Sequence, residues 1–449
     1  MDEKRLALFS KAPAGRAILT LATPVVLGML IQLLYNLVDV YFVGKLNDPN
    51  QLAAANITMP LFMLMMAVSG IIGTGAASCI SRCMGNKNLE KAGKALSFSI
   101  VLCFGLGLLV SIFGCLFITQ IVNALGSDKQ VFSFAADYSR YLLLGAAVIM
   151  CNFAFSQLLR SEGATVVSMV GMLIGTVANT ILDPIFIFAL GMGIKGAAIA
   201  TVLGNLLALV YYIIFYMRGK SIIEFKVSYI LPSKEILKEI FSIGIPSSVS
   251  QLLMGVAVML CNNLAITYGN NTVAGLGVAA KLMTIGTYVF MGLATGCQPL
   301  IGFNYGAEDY KRVKDIITKG MLITSSFGVV LTVVFGLFAK EMILFFTPLP
   351  EVVAAGCIVL RGLMWSLPVY GAQMVGAVTV QAMGKGGFSL LISVSRQGLF
   401  YIPILYTLNG LLGLNGLIYA QPIADALAFI LTAIVLIHIL KKSRIKTTV

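Results

Sequence analysis

Apolar runs of roughly 20 or more residues, such as "SIVLCFGLGLLVSIFGCLFI" from Ser99 to Ile118, recur along the whole chain. Each is long enough to cross a hydrocarbon core of ~30 Å as an α-helix, and the breaks fall at charged or Gly/Pro/Asn clusters. Twelve such spans are predicted, over residues 15–44, 52–80, 95–125, 131–159, 164–190, 195–218, 236–268, 272–303, 314–346, 352–382, 387–408 and 414–440. A chain of 449 residues with 59% hydrophobic and only 11% charged side chains, and a mean hydropathy of +0.95, has far more apolar surface than a soluble core of that length needs. The expected fold class is an all-α polytopic membrane protein with twelve transmembrane helices.

The opening "MDEKRLALFSKAPAGR" carries mixed charge, runs into a full-length span and shows no small-residue cleavage site, so it reads as retained chain and not as a signal peptide. The eight cysteines lie mostly inside spans. Cys79 and Cys83 have helical spacing without His or acidic neighbours and read as small packing residues. The net charge of +13 follows topology. With both ends on the cytoplasmic side, that side holds 23 of the 31 Lys and Arg: four each in the N-terminus, the 2/3 loop, the 8/9 loop and the C-terminus, five in the 6/7 loop, plus Arg160 and Lys385. The positive-inside rule therefore places both termini in the cytoplasm, and the basic surplus implies lipid contact and not nucleic acid.

The longest polar loop, "MRGKSIIEFKVSYILPSKEILKE", divides the chain near its middle, and a repeat spans it. "TGAASCISRCMGNKNLEKAGK" from Thr74 aligns without gaps to "TGCQPLIGFNYGAEDYKRVKD" from Thr295, an offset of 221 that matches Thr74/Thr295, Gly75/Gly296, Ile80/Ile301 and Gly85/Gly306. Pro24 faces Pro246, Gly163 faces Gly384, and "GMGIKGAAIATVLGN" faces "GLLGLNGLIYAQPIAD", which sets Thr201 against Gln421 and Asn205 against Asp425. The predicted domains are an N-terminal six-helix lobe over 1–218, a cytoplasmic linker over 219–235 and a C-terminal six-helix lobe over 236–449. An even number of helices per lobe gives both the same orientation, related by a pseudo-twofold axis along the membrane normal, which is a transporter design. A channel is not excluded by this pattern.

Among the 18 acidic residues, Asp39, Asp183 and Asp425 are singled out inside spans. An Asp near a helix centre costs roughly 2.5–3.5 kcal/mol on insertion scales, so such groups face a bundle interior or a wet cavity. In the first span Gln32, Tyr35 and Asp39 are spaced three and four apart and share a face; in the fifth, Asn179 and Asp183 are four apart; in the sixth, Thr201 and Asn205 repeat that spacing. Two carboxylates close together in low dielectric need a raised pKa or a neutralising cation, which is the chemistry of a proton or Na+ site. The alternative is that each Asp pairs only with a helix end, a backbone group or water. Pro184, directly after Asp183, and Pro24, ahead of Asp39, can kink their helices and free carbonyls.

The C-terminal half differs. Cys261, Asn262 and Asn263 stand where the first span has Asp39, while the eleventh span carries Arg396 and the twelfth Asp425. A buried cation and anion in neighbouring helices make a salt bridge or contact an ion or substrate directly. Lys281 either snorkels to the surface or faces a cavity. His438, the only histidine, reads as incidental. Met59, Met63 and Met66 lie on one face of the second span, where flexible thioethers suit a pocket for many apolar ligands or serve ordinary packing.

"TPVVLGMLIQLLYNLVDVYFVGKL", "ANTILDPIFIFALGMGIKGAAIATVLGN" and "GCQPLIGFNYGAE" resemble the multidrug and toxic compound extrusion (MATE) transporters over nearly the whole chain, and within them the DinF-like and MepA-like bacterial branch. The resemblance implies two six-helix lobes around a V-shaped cavity and export of lipophilic, usually cationic compounds by antiport with H+ or Na+. It implies an N-lobe cation site at Asp39, Asn179, Asp183 and Thr201, and makes Pro24 the helix-bending proline of the first span. Another branch places acids in the seventh and tenth spans; here the tenth has none and the seventh only Glu239, at its very start, so that branch's pattern is not matched. The expectation is an alternating-access drug antiporter of the bacterial inner membrane. It would have no cofactor beyond the coupling ion, no metal beyond Na+ and no enzymatic activity, and it would work as a monomer among membrane lipids. Two alternatives remain: a flippase for lipid-linked precursors, which would be expected to have extra helices and a basic cavity, and a receptor or channel without coupled transport.

Overall fold

Two turns, one in each half of the sequence, are built alike. After Gly85 the chain passes through Lys87 at φ 60°, and after Gly306 through Glu308 at φ 61°. Each is followed by a residue whose side chain caps the next helix: Asn88 accepts from the Lys91 amide at 2.9 Å, and Asp309 from the Arg312 amide at 3.0 Å. Left-handed residues are uncommon outside glycine, so their recurrence at the same register marks a true structural repeat. Gly163 and Gly384 (φ 78° and 72°) and Gly193 and Gly413 (φ 57° and 58°) repeat at the same spacing to within one residue.

The computed structural model describes residues 2–46, 48–231 and 233–445; the side chains of 2–4, 37, 39, 40, 227 and 443–445 lie outside the described ones. The first half contains α1 (Asp2–Ser10), α2 (Ala14–Gly44), α3 (Pro49–Gly85), α4 (Leu89–Leu116), α5 (Ile118–Ala124), α6 (Lys129–Leu144), α7 (Ala146–Ser161), α8 (Thr165–Pro184) and α9 (Ile194–Met217). The second contains α10 (Lys234–Ile266), α11 (Asn270–Gly306), α12 (Tyr310–Leu344), α13 (Pro350–Leu363), α14 (Leu367–Ala382), α15 (Gly386–Val394), α16 (Ile402–Leu412) and α17 (Leu414–Ile445). Among the described residues eleven helical stretches are long and apolar enough to cross a membrane, and α6 with α7, bent by 55° at Gly145, makes a twelfth. The all-α, twelve-span expectation therefore holds.

The breaks inside spans have local causes. At the α6/α7 bend, a Cβ on Gly145 would lie 2.3 Å from a Val202 methyl, so the close approach of α9 admits only glycine there. A short 3-10 turn, Met364–Ser366, joins α13 to α14 just ahead of Pro368, which has no amide hydrogen to give. Two π-helical turns matter for the site. One, Ile185–Ala189, follows Pro184, and the other, Ser395–Tyr401, precedes Pro403.

The chain divides into two compact units, the first comprising residues 1–6 and 27–244 and the second residues 7–26 and 245–449. Both long leading helices, α2 and α10, thus change unit part-way, next to Pro24 and Pro246 respectively. Within the first unit the opening turns of α10 pack tightly on α3: a Cβ on Gly75 would lie 2.1 Å from the Ile240 carbonyl, and one on Gly244 would lie 1.8 Å from that of Ile71. Glu239 bridges Arg82 at 2.8 Å and Lys91 at 2.5 Å. Within the second unit the start of α2 packs on α11 in the same manner, Ala22 against Gly296 and Val26 against Gly292. There Arg312 donates to the carbonyls of Phe9 at 2.8 Å and Leu8 at 3.3 Å, which gives the free C-terminal carbonyls of α1 a cation, and to that of Ala12, just past the helix, at 2.6 Å.

Candidate cation site

Helices α8 and α9 approach closely because two glycines face each other. A Cβ on Gly204 would lie 2.6 Å from the Gly175 carbonyl and 3.0 Å from Cβ of Asn179. Small residues at such a crossing let backbones meet and bring polar side chains within reach of one another. Asn179 Nδ2 then donates to Thr201 Oγ1 at 3.4 Å, and Thr201 donates to the Ala197 carbonyl at 3.0 Å. One turn on, Asn205 Nδ2 donates to the Thr201 carbonyl, and Asn205 Oδ1 accepts from Asn152 Nδ2 on α7, both at 2.8 Å. Asp183, one turn after Asn179 and separated from the π-turn by Pro184 alone, is fully buried.

The set is rich in oxygen. Asn152 Oδ1 and Asn179 Oδ1 are both buried and receive no hydrogen bond. A buried acceptor left without a donor costs about 1–3 kcal/mol, and Asn179 shares α8 with the buried carboxylate of Asp183 one turn on, an arrangement of oxygens that could accept a proton or a hard cation. The fifth and sixth spans thus bring Asn179, Thr201 and Asn205 together, with buried Asp183 one helical turn beyond Asn179. Asn152 was not among the residues singled out from sequence; it stands alone in an apolar segment, and only tertiary structure pairs it with Asn205.

Other candidates are distributed as follows. Asp39 lies on α2, but its side chain is outside the described residues. Gln32 is exposed and Tyr35 half-buried on the same helix, and Pro24 is half-buried where α2 changes unit. On α3, Met59 and Met63 are exposed at 56% and 55%, while Met66 packs against the apolar core of the N-terminal unit. Lys281 on α11 and His438 on α17 are exposed. In the second unit Arg396 Nε donates to Asp425 Oδ1 at 2.8 Å, Gln421 Nε2 donates to the same oxygen at 3.0 Å, and the guanidinium stacks on the Tyr370 ring at 4.2 Å.

Two charged residues that looked like ordinary loop chemistry are buried. Arg160 lies in the last turn of α7, and Glu162, just after its final residue Ser161, has no exposed surface in the turn to α8. Glu162 Oε2 accepts from Ser221 Oγ at 2.6 Å and from the Ile222 amide at 3.1 Å, so it ties down the loop between α9 and α10. Burial pushes the Glu162 carboxyl up to about 7, against the lowering influence of Ser221, the Arg5 charge and the Ile222 amide.

The MatE family profile matches this chain twice, over residues 24–185 and 246–407, once in each repeat. The chain belongs to the MATE family. Among curated MATE relatives it is 32% identical over 442 residues to the multidrug export protein MepA of Staphylococcus aureus (strain NCTC 8325 / PS 47), covering 98% of this chain and 97% of that one. It has the same identity and coverage to MepA of Staphylococcus saprophyticus. Among solved structures it matches a MOP-superfamily transporter from Pyrococcus furiosus at TM-score 0.92 and 28% identity, covering 98% of this chain and 99% of that one. A MATE protein crystallised in a bent conformation matches at TM-score 0.93 and 28% identity, with 99% of each chain covered. The two profile matches begin at Pro24 and Pro246, so the repeat read from glycines and prolines is the MATE repeat.

Proposed function

We propose that this MATE protein is a secondary active multidrug exporter that expels lipophilic, cationic compounds in exchange for H+ or Na+ by alternating access. The observation that carries the reading is the oxygen cluster of the N-terminal unit, with buried Asp183 one turn from Asn179 and two amide oxygens, on Asn152 and Asn179, that lack donors. Asp39, on the helix whose second half belongs to the same unit, supplies the other carboxylate, with Gln32 and Tyr35 on its face. A carboxylate held away from water among neutral oxygens takes up a proton or Na+ readily, and its charge state alters the packing of the helices that carry it.

Net exchange requires that the ion and the drug favour different conformations, because a ligand with equal affinity for both shifts nothing. Ion loading at Asp183 and Asp39 favours one state, and drug binding favours the other. The exposed thioethers of Met59 and Met63, with Met66, give substrates an adaptable apolar surface, and Lys281 is a further candidate contact. The chain works as a monomer in the bacterial inner membrane, with both termini in the cytoplasm, membrane lipids around it and no nucleic-acid partner; the inward bias of Lys and Arg supports that orientation.

The test is ethidium efflux from cells and from reconstituted vesicles under separate pH and Na+ gradients. Asp183→Asn and Asp39→Asn are each expected to abolish gradient-driven efflux while the protein remains folded in the membrane. Parental transport rates in both variants would refute the assignment, as would conduction that ignores the gradients.

A further inference from the structure

The repeat places the same set of helices in both halves of the chain, and they carry different polar side chains. In the N-terminal unit α7, α8 and α9 supply Asn152, Asn179 and Asp183, and Thr201 and Asn205. In the C-terminal unit α14, the helix that contains the π-turn Ser395–Tyr401, and α17 are the corresponding elements, with Gln421 in the register of Thr201, Asp425 in that of Asn205 and Arg396 in that of Gly175, one turn before Asn179. There the carboxylate comes from the other helix of the pair, and a cation is supplied by the chain itself. Arg396 Nε and Gln421 Nε2 both converge on Asp425 Oδ1, while Asp425 Oδ2 is buried and receives no hydrogen bond. Gln397 Oε1, next to Arg396 on the same turn, is also buried and without a donor.

We propose that Arg396 is a tethered cation, whose guanidinium fills, on the corresponding helix pair of the C-terminal unit, the role that a coupling ion has in the N-terminal unit. Asp425 and Gln421 are then the oxygen ligands of a latent monovalent-cation or proton site that the wild-type protein keeps permanently filled. The inference rests on the N-terminal cation site proposed above and deepens it: ion coupling is confined to one unit of the two. A π-turn suits this role, because its widened backbone lets Arg396 reach sideways onto α17 while Tyr370 covers the guanidinium's flat face. The titratable or charged groups that face Asp425 are Arg396 and Tyr401 of that turn, Tyr370 of α14 beyond the guanidinium, and Cys261 of α10 against Tyr401. Removing the guanidinium alone leaves a buried carboxylate uncompensated, which must bind a proton or a metal cation. Removing both charges leaves a neutral pair, which buried ion pairs often tolerate.

The experiment uses full-length protein carrying Arg396→Met, Asp425→Asn or both, each with and without Asp183→Asn. The readouts are thermal melting against Na+ and against pH, and gradient-driven ethidium efflux. Arg396→Met is expected to gain a second, saturable rise in melting temperature with Na+ or with falling pH. That rise persists in the Asp183→Asn background and disappears when Asp425→Asn is added. The double variant Arg396→Met/Asp425→Asn is expected to keep the parental ion dependence of efflux. Folded Arg396→Met/Asp183→Asn protein with no cation-dependent or pH-dependent stabilisation would overturn the proposal. So would a folded double variant that has lost gradient-driven efflux, since the pair would then take part in coupling directly. Should Arg396→Met not fold, the double variant's efflux decides. If Asp183→Asn itself leaves coupling intact, the N-terminal site is refuted, while the Arg396→Met melting curves still decide whether Asp425 is a latent site.

Discussion

Replacing Gly204 by alanine would insert a methyl group where α8 and α9 cross. The new carbon would stand 2.6 Å from the Gly175 carbonyl oxygen and 3.0 Å from Cβ of Asn179. Carbon–oxygen contacts ordinarily stand at about 3.3–3.6 Å, so the helices must part by roughly 0.7 Å or more. Overpacking of this kind costs about 1–3 kcal/mol in stability. The effect on the site is larger in kind, because the Asn179–Thr201 hydrogen bond is already 3.4 Å long and does not survive such a shift. A binding constellation must be held to within about 0.5 Å, so cation affinity is expected to fall by roughly tenfold, about 1.4 kcal/mol. Gly105→Ala on α4 is the control: nothing lies within 4 Å of its added methyl, and its effect is expected to stay within about 1 kcal/mol. Melting curves of both purified variants, taken with and without Na+ and at two pH values, alongside ethidium efflux, provide the comparison. A Gly204→Ala protein whose ion dependence and melting match those of Gly105→Ala would refute the claim that this helix contact positions the site.

Other outcomes follow from groups outside the site. Glu162 has its carboxyl held up at about 7 by burial, against about 4.3 in an unfolded chain. Between those values the folded state binds the proton more tightly than the unfolded one. Stability is therefore highest below that window and declines as pH rises through it, by about 4 kcal/mol in full. Thermal melts from pH 5 to 8 should show this decline in the parent and a much flatter profile in Glu162→Gln; an unchanged slope would rule Glu162 out as its source. Arg312→Ala removes three hydrogen bonds to the carbonyls of Leu8, Phe9 and Ala12. It should cost about 2 kcal/mol and expose the N-terminal residues to limited proteolysis, an outcome that an uncut N-terminus would contradict.

The sequence made the spans legible because a membrane helix must be apolar over its whole length, and that leaves a signal even at low identity between repeats. Asp183, Asn179, Thr201 and Asn205 were legible for the complementary reason: polar groups are costly in a span, and helical spacing says which of them share a face. Asn152 was not legible, since its partner Asn205 is on another helix and nothing beside it in sequence repeats the polarity. Glu162 and Arg160 were hidden differently. They sit at a turn, where charge is ordinary, and only the folded loop at Ser221 and Ile222 shows that Glu162 is shut away from water. The π-turns carried only the signal of Pro184 and Pro403, and proline announces a disturbed helix without saying which kind. The exchange of α2 and α10 between units depends on glycine contacts made far along the chain, at Gly75 and Gly296, and has no local signature.

That exchange bears on ancestry. Each unit is completed by an opening segment that precedes the other repeat's main body in the sequence: residues 7–26 for the second, 234–244 for the first. A lone six-helix polypeptide would lack the stretch that covers its own Gly75 or Gly296, and it would present bare glycine ridges in its place. Two identical copies remove the deficit by trading their opening segments, as in domain swapping. A gene duplication that fused such a pair would inherit the trade as a covalent necessity, and a gene split within the central loop would yield two polypeptides that mature only when made together.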